Sequence, residues 1–321
     1  MLNRILGQHS SVLAMNELHY FGSFWDPERG TGEWTERKAT RAAARLLARI
    51  HRGIWGGGPS ESELTEAREL LGSQEKRNWT PAAVFEVVLA AQASASMARY
   101  VTEQTPRNIF YARQLMALYG EARVLHIVRD PRAVLYSQRS RWRTRRLGGR
   151  QMPIWNVVRL MANYHPLTMT LLWKKAVEQG LMLQNHPRYR MVFFEELVQE
   201  PEKQVRQICR FLDLEFEDEM LKVPQIGSSH KAHTPERRGI SADVADAWRN
   251  KLARGHVMLC ERMAGPLMRR LGYEPYGQIW WYPATLGPLL GFPLHMMGVL
   301  ISNPARAWIQ FKALFGGRDE S

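Results

Sequence analysis

The chain has 321 residues, 45% hydrophobic and 23% charged, which is ordinary for a folded protein and long enough to bury a sizeable core. Its two cysteines, Cys209 and Cys260, lie far apart, which excludes a disulfide framework and a CxxC metal or redox site and fits a reducing, cytoplasmic setting. A formal net charge of +13 points to an anionic partner without choosing among nucleotide, nucleic acid and membrane surface.

The first residues predict a helix over about 1–9, because Leu2, Ile5 and Leu6 share one face, and they carry no secretory signal. The apolar stretch Val12–Met15 then runs into Asn16-Glu17. Ala44, Leu46, Leu47 and Ile50 form the apolar stripe of a helix over roughly 35–52. Gly56-Gly57-Gly58-Pro59 breaks the chain, and Ser60 with Glu63 has the spacing of a capping box for the next helix. That glycine run is a poor phosphate cradle, because Glu61, Glu63 and Glu66 put negative charge where a phosphate would sit. Thr80-Pro81 opens another helix as N-cap and first helical residue.

A short strand is predicted over 101–104, a helix over 108–119 ended by Gly120, and a largely buried strand over 123–128. Asp130-Pro131 starts the next helix directly, and 153–180 reads as helical with an interruption near Pro166. A strand over 189–194, a helix over 202–212, a polar loop over 223–240 and helices over about 244–271 follow. Strands alternating with helices predict an α/β domain with a mainly parallel sheet.

The segment 123–137 has the local logic of an anion site. Ligands of open α/β sheets bind beyond the carboxyl ends of the strands, where Arg129 stands, and Ser137 follows two helical turns later. A guanidinium and a hydroxyl converging there suit a phosphate, although a capped helix with a surface arginine accounts for the same residues. The basic run Arg139, Arg141, Arg143, Arg145, Arg146 and Arg150 reads either as a solvated helix end or as a patch for an anionic ligand. With only Trp142 interleaved, it lacks the pattern of a nucleic-acid reader. No Cys, His and Asp spacing suggests a metal.

Val124–Ser137, with Arg129-Asp130-Pro131-Arg132 followed by Ser137, resembles the 3′-phosphate-binding segment of sulfotransferases that use 3′-phosphoadenosine 5′-phosphosulfate (PAPS). Three further stretches resemble the same family in order: Asn16-Glu17-Leu18-His19-Tyr20, Thr105-Pro106-Arg107-Asn108, and Val192–Leu197 with Pro201 and Phe211-Leu212. Trp248 matches a late tryptophan segment.

The resemblance covers about residues 1–272. It implies a P-loop-type, mainly parallel sheet flanked by helices; the apolar and amphipathic tail over 273–321 is expected, from its own residues, to be mostly helical. It implies binding of PAPS by Arg129 and Ser137, with adenosine 3′,5′-bisphosphate as product and no metal. Glu17 would be the general base toward a hydroxyl or amine acceptor (carbohydrate, lipid or small molecule), with His19 the second candidate. The chain departs from the family pattern where Gln104 replaces lysine and Phe194 replaces tyrosine, and a P-R-S-G-T 5′-phosphosulfate loop is not found after Met1. A non-catalytic relative that binds nucleotide or membrane is the alternative reading. Ser228, Ser229 and His230 are candidates to close over the nucleotide.

From Pro275 to Ala305 there is no charged residue, and Pro283, Pro288 and Pro293 argue against one regular spanning helix. Residues 305–315 have the pattern of a basic amphipathic helix. Segment 275–315 is therefore expected to touch a membrane surface, pack on the domain, or form a homodimer contact.

Overall fold

The computed structural model describes residues 1–27, 32–54, 56–75, 78–140, 146–147, 150–151, 154–223, 239–240, 246–276 and 283–302. Ser228–His230, most of the basic run 141–150 and the helix expected over 305–315 lie outside them. The protein is α/β, and its chain divides into two compact units: Met1–Val124 with Val205–Val223, and Leu125–Gln204 with Pro224–Ser321.

The first unit begins with α1 (Leu2–Leu6) and β1 (Val12–Met15), followed by α2 (Glu36–Arg52), α3 (Glu61–Gly72), α4 (Pro81–Ala95), β2 (Tyr100–Glu103) and α5 (Ala112–Leu118). β1 and β2 are parallel, in register from Val12 opposite Tyr100 to Met15 opposite Glu103. This register brings the residues after Met15 beside those after Glu103, at the carboxyl ends of both strands.

The helix starts follow their sequence signals. Thr80 Oγ1 accepts from the Ala83 amide at 3.2 Å, with Pro81 in the first turn. Ser60 and Glu63 form the full capping box, and the Glu63 carboxylate also takes two bonds from Arg52, at 2.9 and 2.6 Å. The hydrogen bond from Arg52 is the main reason the Glu63 carboxyl is pulled down to about 2. Residues 108–119 are less regular than the sequence suggested. A 3-10 turn over Pro106–Tyr111 precedes α5, and Tyr119, in extended backbone, caps it, so Gly120 is not used for a left-handed stop. The core gathers Leu18, Tyr20, Phe21 and Trp25 against the alanine and leucine face of α2 and against Val84 and Phe85. Tyr20 stacks on Phe85 at 4.8 Å between ring centroids and donates its hydroxyl to the Pro81 carbonyl at 2.7 Å, so its one polar atom is satisfied.

The second unit holds β3 (Val124–Val128), α6 (Pro131–Ser140), the two-residue pairs β4 (Arg146–Leu147) and β5 (Arg150–Gln151), α7 (Ile154–Ala162), α8 (Pro166–Met182), β6 (Tyr189–Phe193) and α9 (Phe194–Gln199). Most of α10 (Pro201–Leu212) belongs to the first unit, and α11 (Arg254–Arg270) and α12 (Leu286–Ser302) complete the second. β3 pairs with β6, and His126 on β3 meets the Tyr189 hydroxyl on β6 at 2.8 Å. Burial pulls His126 down to about 4, so it is a neutral, partnered histidine of the sheet. A side chain at Gly180 would collide with both rings. β3 is less buried than its composition implied: only Val128 is fully covered and Ile127 is exposed.

The break at Pro166 is present, since α7 ends at Ala162 and His165 caps α8 by accepting from the Leu167 amide. The tail prolines do not stop a shorter helix from forming. α12 runs as one helix through Pro288 and Pro293. Pro288 falls in the first turn, where its missing N–H is not needed, so only Pro293 interrupts the ladder. Among the described residues no helix is long and apolar enough to cross a membrane.

Candidate active site

In the first unit, the residues leaving β1 form a tight, polar turn. The Glu17 carboxylate and the His19 Nε2 are 3.0 Å apart, with both side chains roughly a quarter exposed. His19 has φ +49°, a left-handed backbone uncommon for a residue with a side chain.

What holds this turn is Glu103, the last residue of β2. Its Oε1 accepts from the Leu18 amide at 2.8 Å and from the Thr105 hydroxyl. Its Oε2 accepts from the Thr105 amide at 3.1 Å and from the Asn108 side-chain amide. The Thr105 Oγ1 in turn accepts from the His19 amide at 2.9 Å. From the other side, Arg49 of α2 donates to the Leu18 carbonyl and, at 2.9 Å, to the His19 carbonyl. The backbone N–H and C=O groups of both Leu18 and His19 are thus gripped. Burial raises the Glu103 carboxyl, while the bonds from Thr105 and Leu18 pull it back. Burial, and then Arg45, lowers Arg49 to about 10.

Arg49 also lies over the Phe24 ring at 4.2 Å. Phe24 lines a cleft of about 560 Å³ with Trp34, Arg37, Lys38, Arg41 and Arg45, and none of the described residues lining it is a carboxylate. This combination suits a group that is anionic, aromatic or both.

In the second unit, β3 ends at Val128 and delivers Arg129 and Asp130 to the start of α6. Asp130 caps that helix, taking the Arg132 amide at 2.8 Å. The Asp130 carboxylate also grips the buried Arg132 guanidinium, which continues to Glu261 at 2.5 Å and lies 4.3 Å over Trp248. Arg132 and Trp248 therefore brace the loop.

Arg129 is placed differently. Its guanidinium lies 4.2 Å over Phe194, and its carbonyl takes the Trp173 indole N–H at 2.9 Å. Glu195 accepts from the Asp130 amide at 3.0 Å and from the Tyr273 hydroxyl at 3.1 Å. Burial raises the Glu195 carboxyl. Burial also lowers Arg129, and Glu195 and Asp130 offset that. A partly desolvated guanidinium on an aromatic ring, with its backbone pinned, is a stiff anion holder. Ser137 lies on α6, about 9 Å along the axis from Pro131 at 1.5 Å per residue.

Glu17 and His19 thus come together in one unit; in the other, Arg129 stands at the strand–helix junction and Ser137 two turns along the helix that follows. Sequence reasoning missed Glu103, Arg49, Glu195, Tyr273 and Trp173. It also counted Phe194 only as a lost hydroxyl, whereas its ring is the platform for Arg129. Among the described residues no group of three His, Cys, Asp or Glu could hold a metal.

The protein-tyrosine sulfotransferase A of Caenorhabditis elegans is 33% identical over 91 residues, 26% of this chain and 24% of that protein, so the match spans about a quarter of each. A sulfotransferase domain from the curacin biosynthetic pathway aligns over 85% of this chain and 93% of its own, with 18% identity and a TM-score of 0.45. One from the Synechococcus PCC 7002 olefin synthase aligns over 82% and 89%, with 19% identity and the same TM-score. The family model described as "Sulfotransferase family" matches residues 1–218, more than half of the sequence, and the chain belongs to that family.

Proposed function

We propose that this protein transfers a sulfuryl group from PAPS to a hydroxyl or amine acceptor, with Glu17 as general base. The observation that carries the reading is the 3.0 Å contact between Glu17 and His19 at the carboxyl ends of two parallel strands, in a chain of the sulfotransferase family. The donor supplies an activated sulfate on a phosphate leaving group. As the acceptor oxygen bonds to sulfur, the bond from sulfur to the phosphate oxygen breaks, and the acceptor proton passes to the Glu17 carboxylate. His19 fixes the direction of that carboxylate and is the second group able to take the proton.

Arg129, stiffened by Phe194 and Trp173, supplies charge-assisted bonds to the 3′-phosphate, with the Ser137 hydroxyl as partner. These contacts are equal in ground and transition states, so they set affinity and leave the chemical step alone. The acceptor enters by the cleft of Phe24, Trp34 and the α2 cations, which favours one carrying an anionic or aromatic group. Two buried free cysteines fit a reducing, cytoplasmic location.

The test follows transfer of radiolabelled sulfate from PAPS to a panel of hydroxyl acceptors, together with binding of adenosine 3′,5′-bisphosphate by calorimetry. Binding with transfer that Glu17→Gln abolishes supports the proposal. Nucleotide binding with no transfer to any acceptor supports the non-catalytic relative, and no nucleotide binding refutes transfer from PAPS.

A further inference from the structure

The large apolar side chains left exposed among the described residues are concentrated on two helices of the second unit, α7 and α12. On α12, Leu286, Leu290, Leu294, Met297 and Ile301 follow the spacing i, i+4, i+8, i+11 and i+15, which lines one face. Leu290 and Ile301 are 76% and 78% exposed. The opposite side carries the packing: Val299 is buried, and the rings of Phe292 and His295 lie tilted against that of His165, at the start of α8, at 5.1 and 4.7 Å. α12 is thus inverted relative to an ordinary surface helix, with its outward face apolar.

α7 adds to the same feature. It packs beside α12, tied by Arg159 Nε donating to the Ser302 carbonyl at 3.1 Å. It leaves Ile154 (78%), Val158 and Met161 exposed on its own outer side. An apolar surface shared by two packed helices in this way needs a partner.

The sequence around the two helices says which partner. From Pro131 to Val177 and from Pro275 to Arg318 there is neither Asp nor Glu, although the chain has 31 such residues. The first stretch carries the arginine run before α7. The second places Trp280, Trp281 and Tyr282 just before α12 and Arg306, Trp308 and Lys312 after it. Apolar helices flanked in the sequence by tryptophan, tyrosine and cations, with no acid in either stretch, match the layers of a lipid leaflet with anionic headgroups. At 17 residues, α12 is about 25 Å long, short of the roughly 30 Å hydrocarbon thickness, so it suits lying in the interface.

We infer that α7 and α12 together form a docking face for an anionic membrane surface. The face inserts Leu290, Leu294, Ile301 and Ile154 among the acyl chains, and the cations that flank the two helices in the sequence supply the charge that favours anionic headgroups. The inference uses no step of the transfer reaction and stands or falls separately from it.

The test is co-sedimentation of the full chain with phosphatidylcholine vesicles, with and without phosphatidylserine. Wild type is expected to pellet with the anionic vesicles. Two variants, Leu290→Glu/Ile301→Glu on α12 and Ile154→Glu on α7, change exposed positions only. Each is expected to reduce partitioning roughly tenfold or more, with unchanged circular dichroism and unchanged binding of adenosine 3′,5′-bisphosphate. Wild type that stays in the supernatant overturns the inference, and so does wild-type partitioning of either variant. Sedimentation velocity without lipid supplies the competing outcome. A dimer that the glutamate variants dissociate would show the face to be an interface between copies of this chain, and would also overturn it.

Discussion

Replacing Glu103 with glutamine tests the claim that one buried carboxylate builds the turn of Glu17 and His19. The two oxygens of Glu103 each serve a different backbone amide, Leu18 through Oε1 and Thr105 through Oε2. A carboxamide has one oxygen, so in either orientation its NH₂ must face one of these N–H groups. The other two donors can adapt: the Thr105 hydroxyl can rotate, and Asn108 can turn its amide to present an Oδ1 that is buried with no partner. The backbone amide cannot. One orphaned N–H costs about 1–3 kcal/mol, and the remaining bonds lose their charge assistance. A loss of about 2 kcal/mol corresponds to a Tm drop of roughly 4–8 °C for a unit of this size. The same displacement moves Leu18 and His19, so kcat should fall at least about tenfold. Binding of adenosine 3′,5′-bisphosphate, assigned to the other unit, should stay within about twofold. Differential scanning calorimetry and initial-rate kinetics on the same preparation provide both readouts. A Glu103→Gln protein with wild-type Tm and kcat would refute the reasoning, and a normal Tm with lost nucleotide binding would refute the division of labour.

Three further outcomes are expected. Glu17→Gln should lower kcat by roughly 10²–10⁴ with little change in the KM for PAPS, measured by steady-state sulfate transfer. Arg129→Ala should raise that KM by roughly 10–100-fold with kcat near wild type, because a charge-assisted bond of about 1.5–3 kcal/mol is lost equally from ground and transition states; an equal fall in kcat at constant KM would contradict the assignment. The Glu63 carboxyl is held at about 2, chiefly by Arg52, below its ordinary 4.5. Its contribution to stability should therefore be complete above about pH 4.5 and disappear as pH falls through 2. In acid titrations followed by circular dichroism, Glu63→Gln should be less stable than wild type at neutral pH and show a shallower loss toward acid.

What could be read from the sequence was what the chain encodes locally. The capping box of Ser60 and Glu63, the Thr80-Pro81 start and the break at Pro166 each depend on residues a few positions apart, and all are present. The Arg129-Asp130 junction was legible for the same reason, since Asp130 caps the helix it precedes. Glu103 was not, because a carboxylate at a strand end carries no local mark, and one of its partners, Leu18, is 85 residues away. Nor was the use of Phe194: the missing tyrosine hydroxyl is visible in the sequence, but the guanidinium stacked on the ring is a tertiary fact. The prolines of the tail rightly argued against a spanning helix among the described residues, but did not say where the shorter α12 starts, because a helix tolerates proline in its first turn and composition alone does not say where that turn begins.

The left-handed backbone at His19 decides how its imidazole can be removed cleanly. Alanine there would keep the unfavourable φ of +49° and mix backbone strain with chemical loss, while glycine adopts that conformation freely. His19→Gly leaves a partly exposed, ring-sized vacancy beside Glu17 with the peptide still held by Arg49 and Thr105. Free imidazole in the buffer can enter such a space. Recovery of rate with added imidazole, set against its basicity and size, would then measure what the histidine contributes as a proton carrier, apart from what it contributes as a link in the chain.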